Sequence, residues 1–127
     1  MRSTIKRETT GKKLKNSKIF RGDTENIIVR FMAGNLIPEN FEFKFTCKIS
    51  ELDPDSDAVI QKEATVTKIS DTIIEAKFSI ASGDTEFLEP KDKLYYDVQM
   101  KIISFNQIYT LEKGCFEIEA DITQDNS

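Results

Sequence analysis

The 127-residue sequence contains no histidine and no tryptophan, and it has only two cysteines and three prolines. Without histidine, neither His-based acid–base catalysis nor a His-ligated metal site can be built. Two cysteines are too few for a scaffold held together by disulfides. No apolar run approaches the roughly 18 residues that a membrane span needs. These absences disfavour most enzyme classes and indicate a soluble protein with no membrane partner.

What the sequence does contain is a period-two alternation of apolar and charged residues. It is clearest from Phe41 to Ile49, where apolar side chains occupy every second position, and it recurs in three further segments. Alternation of this kind is typical of half-buried antiparallel strands. The four apolar faces are Phe41, Phe43, Phe45, Cys47 and Ile49; Ile74, Ala76, Phe78 and Ile80; Leu94, Tyr96, Val98, Met100 and Ile102; and Phe116, Ile118, Ala120 and Ile122.

Weaker strand patterns lie between these segments, and turn residues separate them. The weaker strands are predicted at 18–21, 26–32, 58–61, 64–69 and 108–111. Seven to nine short strands at this spacing predict an all-β fold, an antiparallel β-sandwich. One short helix or 3₁₀ turn is expected over residues 82–88, where Ser82 or Asp84 could cap it and Pro90 would end it.

Charge is distributed unevenly along the chain. Residues 1–21 carry eight basic residues and one acid, a net charge of +7, whereas the remainder carries ten basic residues and twenty-one acids, a net charge of −11. A basic segment ahead of an acidic body can lie on that body, reach an acidic partner or contact nucleic acid. The sequence therefore predicts a basic, extended N-terminal arm over residues 1–17 and one β-sandwich domain over residues 18–127.

The predicted partner-binding residues are the cations of this basic segment. They are Arg2, Lys6, Arg7, Lys12, Lys13, Lys15 and Lys18. We expect them to contact an acidic neighbouring subunit through several weak charge pairs. Because no alternating strand precedes residue 18, deletion of residues 1–17 is expected to leave the sandwich folded.

Two short motifs suggest a function, calcium binding and cell adhesion, but the residues around them do not support it. Asp53, Asp55 and Asp57 have the alternating spacing of a calcium loop, but such a loop needs Gly at its sixth position and Glu at its twelfth, and these are Ala58 and Ala64. The tripeptide at 21–23 spells an adhesion motif, although between two strands it is more typical of a structural turn.

The two cysteines offer no catalytic chemistry either. Cys47 lies on the apolar face of its strand, and Cys115 shares a face with Glu117 and Glu119, so a disulfide is disfavoured. A catalytic thiol would lack a histidine to activate it. We predict no catalytic, cofactor-binding or metal-binding residue, no cofactor and no enzyme activity.

Two stretches of the chain resemble a family of small phage domains. The first runs from Arg21-Gly22-Asp23-Thr24 through the strand at 27–31 to Asn35-Leu36-Ile37-Pro38-Glu39-Asn40. The second contains Leu88-Glu89-Pro90, Tyr95-Tyr96-Asp97-Val98, the segment at 110–118 and Asp121-Ile122-Thr123. Together they are similar to the immunoglobulin-like N-terminal domain of phage baseplate upper proteins and related tail and head-fibre proteins.

This resemblance implies a bacteriophage virion structural protein, assembled in the bacterial cytoplasm and docked to other virion proteins in an oligomeric assembly. Because no fibre follows the domain in these 127 residues, it implies an adaptor or decoration subunit of the tail, baseplate or head surface.

Two other functions are left open by the sequence. A carbohydrate- or ligand-binding sandwich would need an exposed aromatic platform, for which the candidates are Tyr95, Phe105 and Tyr109. A nucleic-acid-binding accessory protein would have to use the basic arm, because the acidic body repels phosphates.

Overall fold

A computed structural model describes residues 2–120 and shows two packed β-sheets. The first sheet has the strand order β1-β3-β7-β6 and the second the order β2-β9-β8-β4-β5. The strands are β1 (Arg2–Arg7), β2 (Lys18–Phe20), β3 (Glu25–Met32), β4 (Phe41–Lys48), β5 (Ile60–Glu63), β6 (Thr65–Ser70), β7 (Ile73–Ile80), β8 (Lys93–Ile102) and β9 (Gln107–Glu119). The predicted all-β sandwich is confirmed.

The strand order identifies the sandwich as immunoglobulin-like. In such domains, strands A, B, E and D form one sheet and strands C, F and G the other, with an added strand beside C in some members. Here β1, β3, β7 and β6 take the first set of positions, while β4, β8 and β9 take the second and β5 is the added strand. The neighbours pair antiparallel, except that β2 runs parallel to β9. Cys47 on β4 and Cys115 on β9 are both free.

The alternating faces predicted from the sequence point inward and form the core between the sheets. Its largest fully buried side chains are Phe31, Phe43, Phe45, Phe78, Phe116, Leu14, Ile19, Ile27, Ile74, Ile80, Leu94 and Met100. The rings of Phe45 and Phe78, on opposite sheets, lie 5.6 Å apart between centroids and are tilted, an arrangement that aromatic pairs favour.

Two predicted core positions at strand ends differ in the structure, and a third lies outside the described residues. Strand β4 ends at Lys48, so Ile49 is exposed. Strand β9 ends at Glu119, which leaves Ala120 exposed, and Ile122 lies outside the described residues. The two strands expected at 108–111 and 116–122 are one strand, which continues through Gly114.

Gly114 explains why this strand looked interrupted in the sequence. A Cβ atom at residue 114 would lie 3.0 Å from both the Lys15 side chain and the Tyr96 hydroxyl oxygen, so only glycine fits without displacing them. Glu112, at another inward position, accepts a hydrogen bond from the Tyr96 hydroxyl. Neither residue carries the apolar side chain that marks a core strand in the sequence.

The expected helical turn is present but shorter than residues 82–88. It spans Ser82–Thr85, and the Asp84 side chain accepts a hydrogen bond of 2.7 Å from the backbone N–H of Ala81. Asp84, not Ser82, therefore caps this helix.

The N-terminal segment differs most from its prediction. It is extended, but residues 2–7 are strand β1, paired with β3 along its whole length, and so belong to the sandwich. Ile5 is buried and the side chain of Leu14 is 0% exposed, so both belong to the core. The expected boundary at residue 17 therefore has no counterpart in the fold, because pairing with β3 and burial of these two side chains order the segment.

The chain changes sheet on both sides of the sandwich. It passes from β1 to β2 on one side, and through Ala64 from β5 to β6 on the other. By strand direction, the loops at 33–40, 71–72 and 103–106 share one end of the sandwich, and those at 8–17, 49–59 and 81–92 share the opposite end. No helix within residues 2–120 has the length and apolarity required to span a membrane.

Candidate interaction surfaces

The seven predicted partner-binding cations occupy different environments. Arg2, Lys6 and Arg7 lie on β1, Lys12, Lys13 and Lys15 on the loop that follows, and Lys18 on β2. All are exposed except Arg7, which is partly buried. The structure brings Lys6 and Lys13 together as paired residues of neighbouring chain segments.

Arg7 is committed to the fold itself. Its Nε donates to Glu25 Oε1 at 2.6 Å, and its Nη1 donates to the carbonyl of Lys18 at 2.8 Å. Glu25 is buried on β3 and also accepts hydrogen bonds from the Thr9 hydroxyl and from the backbone N–H groups of Thr9 and Asn26. A buried carboxylate with this many donors fixes the N-terminal segment to the first sheet.

The remaining cations are more available to a partner. Lys18 pairs with Glu119 at 3.4 Å across the parallel strands β2 and β9, and both side chains keep solvent contact. Within residues 2–120, no ion pair engages Arg2, Lys6, Lys12, Lys13 or Lys15. Their role in partner binding stays a prediction. Five of the seven predicted cations are exposed and engaged in no ion pair within these residues, so they are the ones available to a partner.

A polar depression lies on the outer face of the second sheet. Its lining includes Asp97 on β8, Lys113 of β9, which is paired directly with Asp97, and Lys48 of β4. Burial raises the pKa of Asp97, and the charge of Asp55 adds to this, while the nearby lysines oppose it. Lys48 Nζ lies 2.7 Å from Asp55 Oδ1, and this pair lowers the pKa of Asp55.

The chemistry available to this depression is limited. Cys115 is on its wall, whereas Cys47 is buried and does not line it. Burial raises the pKa of the Cys47 thiol well above its usual range, which keeps it protonated and unreactive. Among residues 2–120, no group of three or more His, Cys, Asp or Glu side chains is placed to hold a metal ion.

An exposed apolar surface lies at the end of the sandwich formed by the loops at 33–40 and 103–106. We call it the apolar tip and define it as Ile37, Ile103, Phe105, Ile108 and Tyr109. Phe105 is 70% exposed, Ile37 63% and Ile108 61%. The backbone N–H of Ser104 donates to Asn40 Oδ1 at 2.9 Å and so joins the two loops that carry these side chains.

The apolar tip coincides with the two longest stretches of the sequence without a charged residue. These are Phe31–Pro38 and Ile102–Leu111, in a chain that is 31% charged. Depletion of charge together with exposed aromatic side chains distinguishes the centre of a protein interface from ordinary surface. The sequence indicates Phe105 and Tyr109 of this surface as candidates for an aromatic platform, but it does not predict that they form one surface with Ile37, Ile103 and Ile108, although the absence of charge was visible.

The proposed aromatic platform is only partly assembled. Phe105 and Tyr109 lie on the same β8–β9 hairpin and are both exposed. Tyr95 lies instead on the wall of the polar depression.

Comparison with known proteins found no matching family model and no matching curated protein. Among solved structures, the C-terminal domain of the Streptococcus agalactiae AgI/II polypeptide BspA is similar over 94% of this chain, with 9% identity and a TM-score of 0.48. This chain spans half of that structure's length. AggA, the major subunit of aggregative adherence fimbriae type I from Escherichia coli, is similar over 94% of this chain and 95% of its own, with 3% identity and a TM-score of 0.40.

Similarities this distant carry no information about function. The immunoglobulin-like assignment rests on the strand order of this chain. Neither of these two proteins is described as a phage protein, and the phage resemblance rests on the sequence motifs alone.

Proposed function

We propose that the protein is a structural subunit of a phage or phage-derived virion, an adaptor or decoration subunit that docks to neighbouring virion proteins and has no enzyme activity. The observation that carries the docking role is the apolar tip. The assignment to a virion is supported by the resemblance of the sequence motifs at 21–40 and 88–123 to baseplate and fibre domains.

The apolar tip supports docking because its side chains are held out from the core by short, fixed loops. A 3₁₀ turn at Ile103–Phe105 and one at Pro38–Asn40 shape these loops. Asn106, which ends the first of these turns, adopts a left-handed conformation with φ of 51°. An exposed apolar cluster of this kind marks an interaction site on a folded protein.

The unpaired cations support a second contact with an acidic neighbour. Arg2 begins β1 and so lies at the same end of the sandwich as the apolar tip, while Lys12, Lys13 and Lys15 lie toward the opposite end. A subunit with contacts at both ends can bridge two neighbours. We expect the charged contact to weaken as salt rises, because exposed pairs are screened beyond about 8–10 Å at physiological ionic strength.

The test is incorporation into particles. A tagged chain is expressed during production of the phage or prophage particles whose genome encodes it, and purified particles are assayed for the tag. The double variant Ile37→Ser, Phe105→Ser should be lost from particles. The matched variant Leu52→Ser, Phe87→Ser removes apolar side chains that are 93% and 62% exposed at the opposite end, and it should be retained.

Absence of the unmodified chain from purified particles would refute the virion assignment. Equal retention of both double variants would refute docking through the apolar tip. Particles should also be treated with nuclease, because loss of the chain on that treatment would favour nucleic-acid binding by the exposed cations.

Carbohydrate binding is the second candidate, favoured by the exposed pair Phe105 and Tyr109 on one hairpin. Glycan-array binding that disappears in Phe105→Ala but not in Phe87→Ala would support it over protein docking.

A further inference from the structure

The free strand edges of the two sheets differ in how they are protected. A free edge presents unpaired backbone N–H and C=O groups to which another strand can be added, and proteins usually protect it with charge, shortness or a bulge. The first sheet ends at β1 and β6, and the second at β2 and β5. Strand β9 has an additional free edge, since β2 covers only residues 117–119 of its thirteen.

Each of the four terminal strands carries a protecting feature. Strand β1 presents two exposed cations, Arg2 and Lys6, and β6 has a bulge after Lys68. Strand β2 has only three residues, and β5 has four, including Lys62 and Glu63.

The first part of β9 lacks the charge that protects β1 and β5. Residues Gln107–Thr110 pair regularly with β8 and precede the register shift at Leu111. They contain neither proline nor charge. On the edge that faces away from β8, no described strand pairs with them. The backbone hydrogen bond nearest to them on that edge joins the N–H of Asn16 to the carbonyl of Cys115, with a length of 2.7 Å.

We propose that residues 107–110 of β9 pair antiparallel with the same residues of a second copy of this chain. This proposal rests on the assembly role proposed above. It specifies a second copy of the chain as one partner and residues 107–110 as the edge through which the two copies pair. It joins the second sheets of two copies into one continuous sheet.

The chemistry of this edge favours a second copy as the partner. Self-pairing brings identical residues of the two copies together near a twofold axis, so a charged residue there would be repelled by the same charge on the other copy. The run Ile102–Leu111 has no charge, whereas self-pairing of β1 would oppose Arg2, Lys6 and Arg7 with one another.

Side-chain burial adds to the backbone pairing. Ile108 and Tyr109 are adjacent in the strand and therefore point to opposite faces of the sheet. They are 61% and 38% exposed in the single chain. Self-pairing places one apolar side chain from each copy on each face, so both faces of the joined sheet gain apolar contact.

The first experiment is sedimentation velocity on the purified full chain over a concentration series. We expect a reversible dimer, and we expect Ile108→Lys and Tyr109→Lys each to weaken it at least about tenfold, because each places two like charges near the axis. Leu52→Lys adds the same charge at the opposite end of the sandwich and should leave the dimer unchanged. Circular dichroism verifies folding, and Ile108→Ser and Tyr109→Ser replace any lysine variant that fails to fold.

The second experiment locates the contact. In a Cys115→Ser background, Tyr109→Cys should form disulfide-linked dimers under mild oxidation, while Leu52→Cys should not. A chain that is monomeric at every concentration, a dimer indifferent to the changes at residues 108 and 109, or equal cross-linking at residues 52 and 109 would each overturn the proposal. None of these outcomes bears on whether the chain is present in particles, so the proposed function is tested separately.

Discussion

The N-terminal segment at 2–20 and the β8–β9 hairpin at 102–111 both have a burial that their composition does not predict. The first is dense in lysine and arginine, yet Ile5, Leu14 and Ile19 insert into the core and Arg7 bonds to a buried carboxylate. The second has no charged residue, yet all of residues 103–110 are exposed. Composition averaged over a segment therefore does not decide burial; a side chain is buried only where the opposite sheet covers it, and residues 107–110 are exposed on both faces of their strand.

The largest expected effect comes from removing residues 1–17. Deletion eliminates the β1–β3 ladder, the Arg7–Glu25 pair and the buried side chains of Ile5 and Leu14. We expect the free energy of unfolding to fall by upwards of about 5 kcal/mol, which most domains of this size cannot lose and remain folded. Urea denaturation followed by circular dichroism measures it. A truncated chain with an unchanged midpoint would show that the segment is a detachable arm after all.

Substitution of Arg7 by methionine should have the next largest effect. It keeps the apolar stem but leaves the buried Glu25 carboxylate without its charged partner, and breaking a buried pair in this way costs about 3–5 kcal/mol. Arg30→Met is the matched control, since the Arg30–Glu75 pair on the same sheet is more exposed and should contribute less than about 1 kcal/mol. Equal losses in the two variants would mean that Glu25 is satisfied without Arg7.

Single truncations in the two regions sharpen the comparison. Leu14→Ala should cost about 2–5 kcal/mol, because the side chain is fully buried, although its neighbours in sequence are lysines. Phe105→Ala should change stability by less than about 0.5 kcal/mol despite the larger side chain. Thermal denaturation of both variants under the same condition measures the two losses. A larger loss of stability for Phe105→Ala than for Leu14→Ala would contradict this assignment of core and surface.

The smallest expected effect is that of Asp97→Asn. Burial raises the pKa of Asp97, so the folded state disfavours its charged form. The penalty is absent below the ordinary Asp pKa of about 3.9, where the group is protonated in both states, and it develops as pH rises through the raised folded value. The asparagine variant should therefore be slightly more stable at neutral pH and equal to the wild type in acid. Urea midpoints measured across this range would contradict the prediction if the difference grew toward low pH.

The sequence predicted most of the strands through their alternating apolar positions and missed β1, whose inward positions are mixed. Strand β7 was found because Ile74, Ala76, Phe78 and Ile80 alternate without a break. Strand β1 was missed because Ser3 and Arg7 share the inward-facing side with Ile5. Arg7 can occupy this side only because Glu25, on the neighbouring strand β3, accepts its hydrogen bond. A partner that is distant in sequence cannot be read from local periodicity.

The apolar tip was predicted only in part, at Phe105 and Tyr109, for a related reason. The residues 108–111 satisfied the pattern of a strand, which they do form, but pattern alone does not distinguish a strand covered by a second sheet from one that extends past it. The basic residues of the N-terminal segment are evident from the sequence as a concentration of charge, whereas the engagement of Arg7 and Lys18 by Glu25 and Glu119 depends on tertiary pairing.

The parallel pairing of β2 with β9 has a mechanical consequence. Tension applied between residue 18, where β2 begins, and residue 120, just after β9 ends, pulls these two neighbouring strands along their length in opposite directions. The hydrogen bonds that join Lys18–Phe20 to β9 are then loaded in shear and must break together instead of unzipping one at a time. A domain fastened in this way resists being pulled apart along its long axis more than its three paired residues suggest.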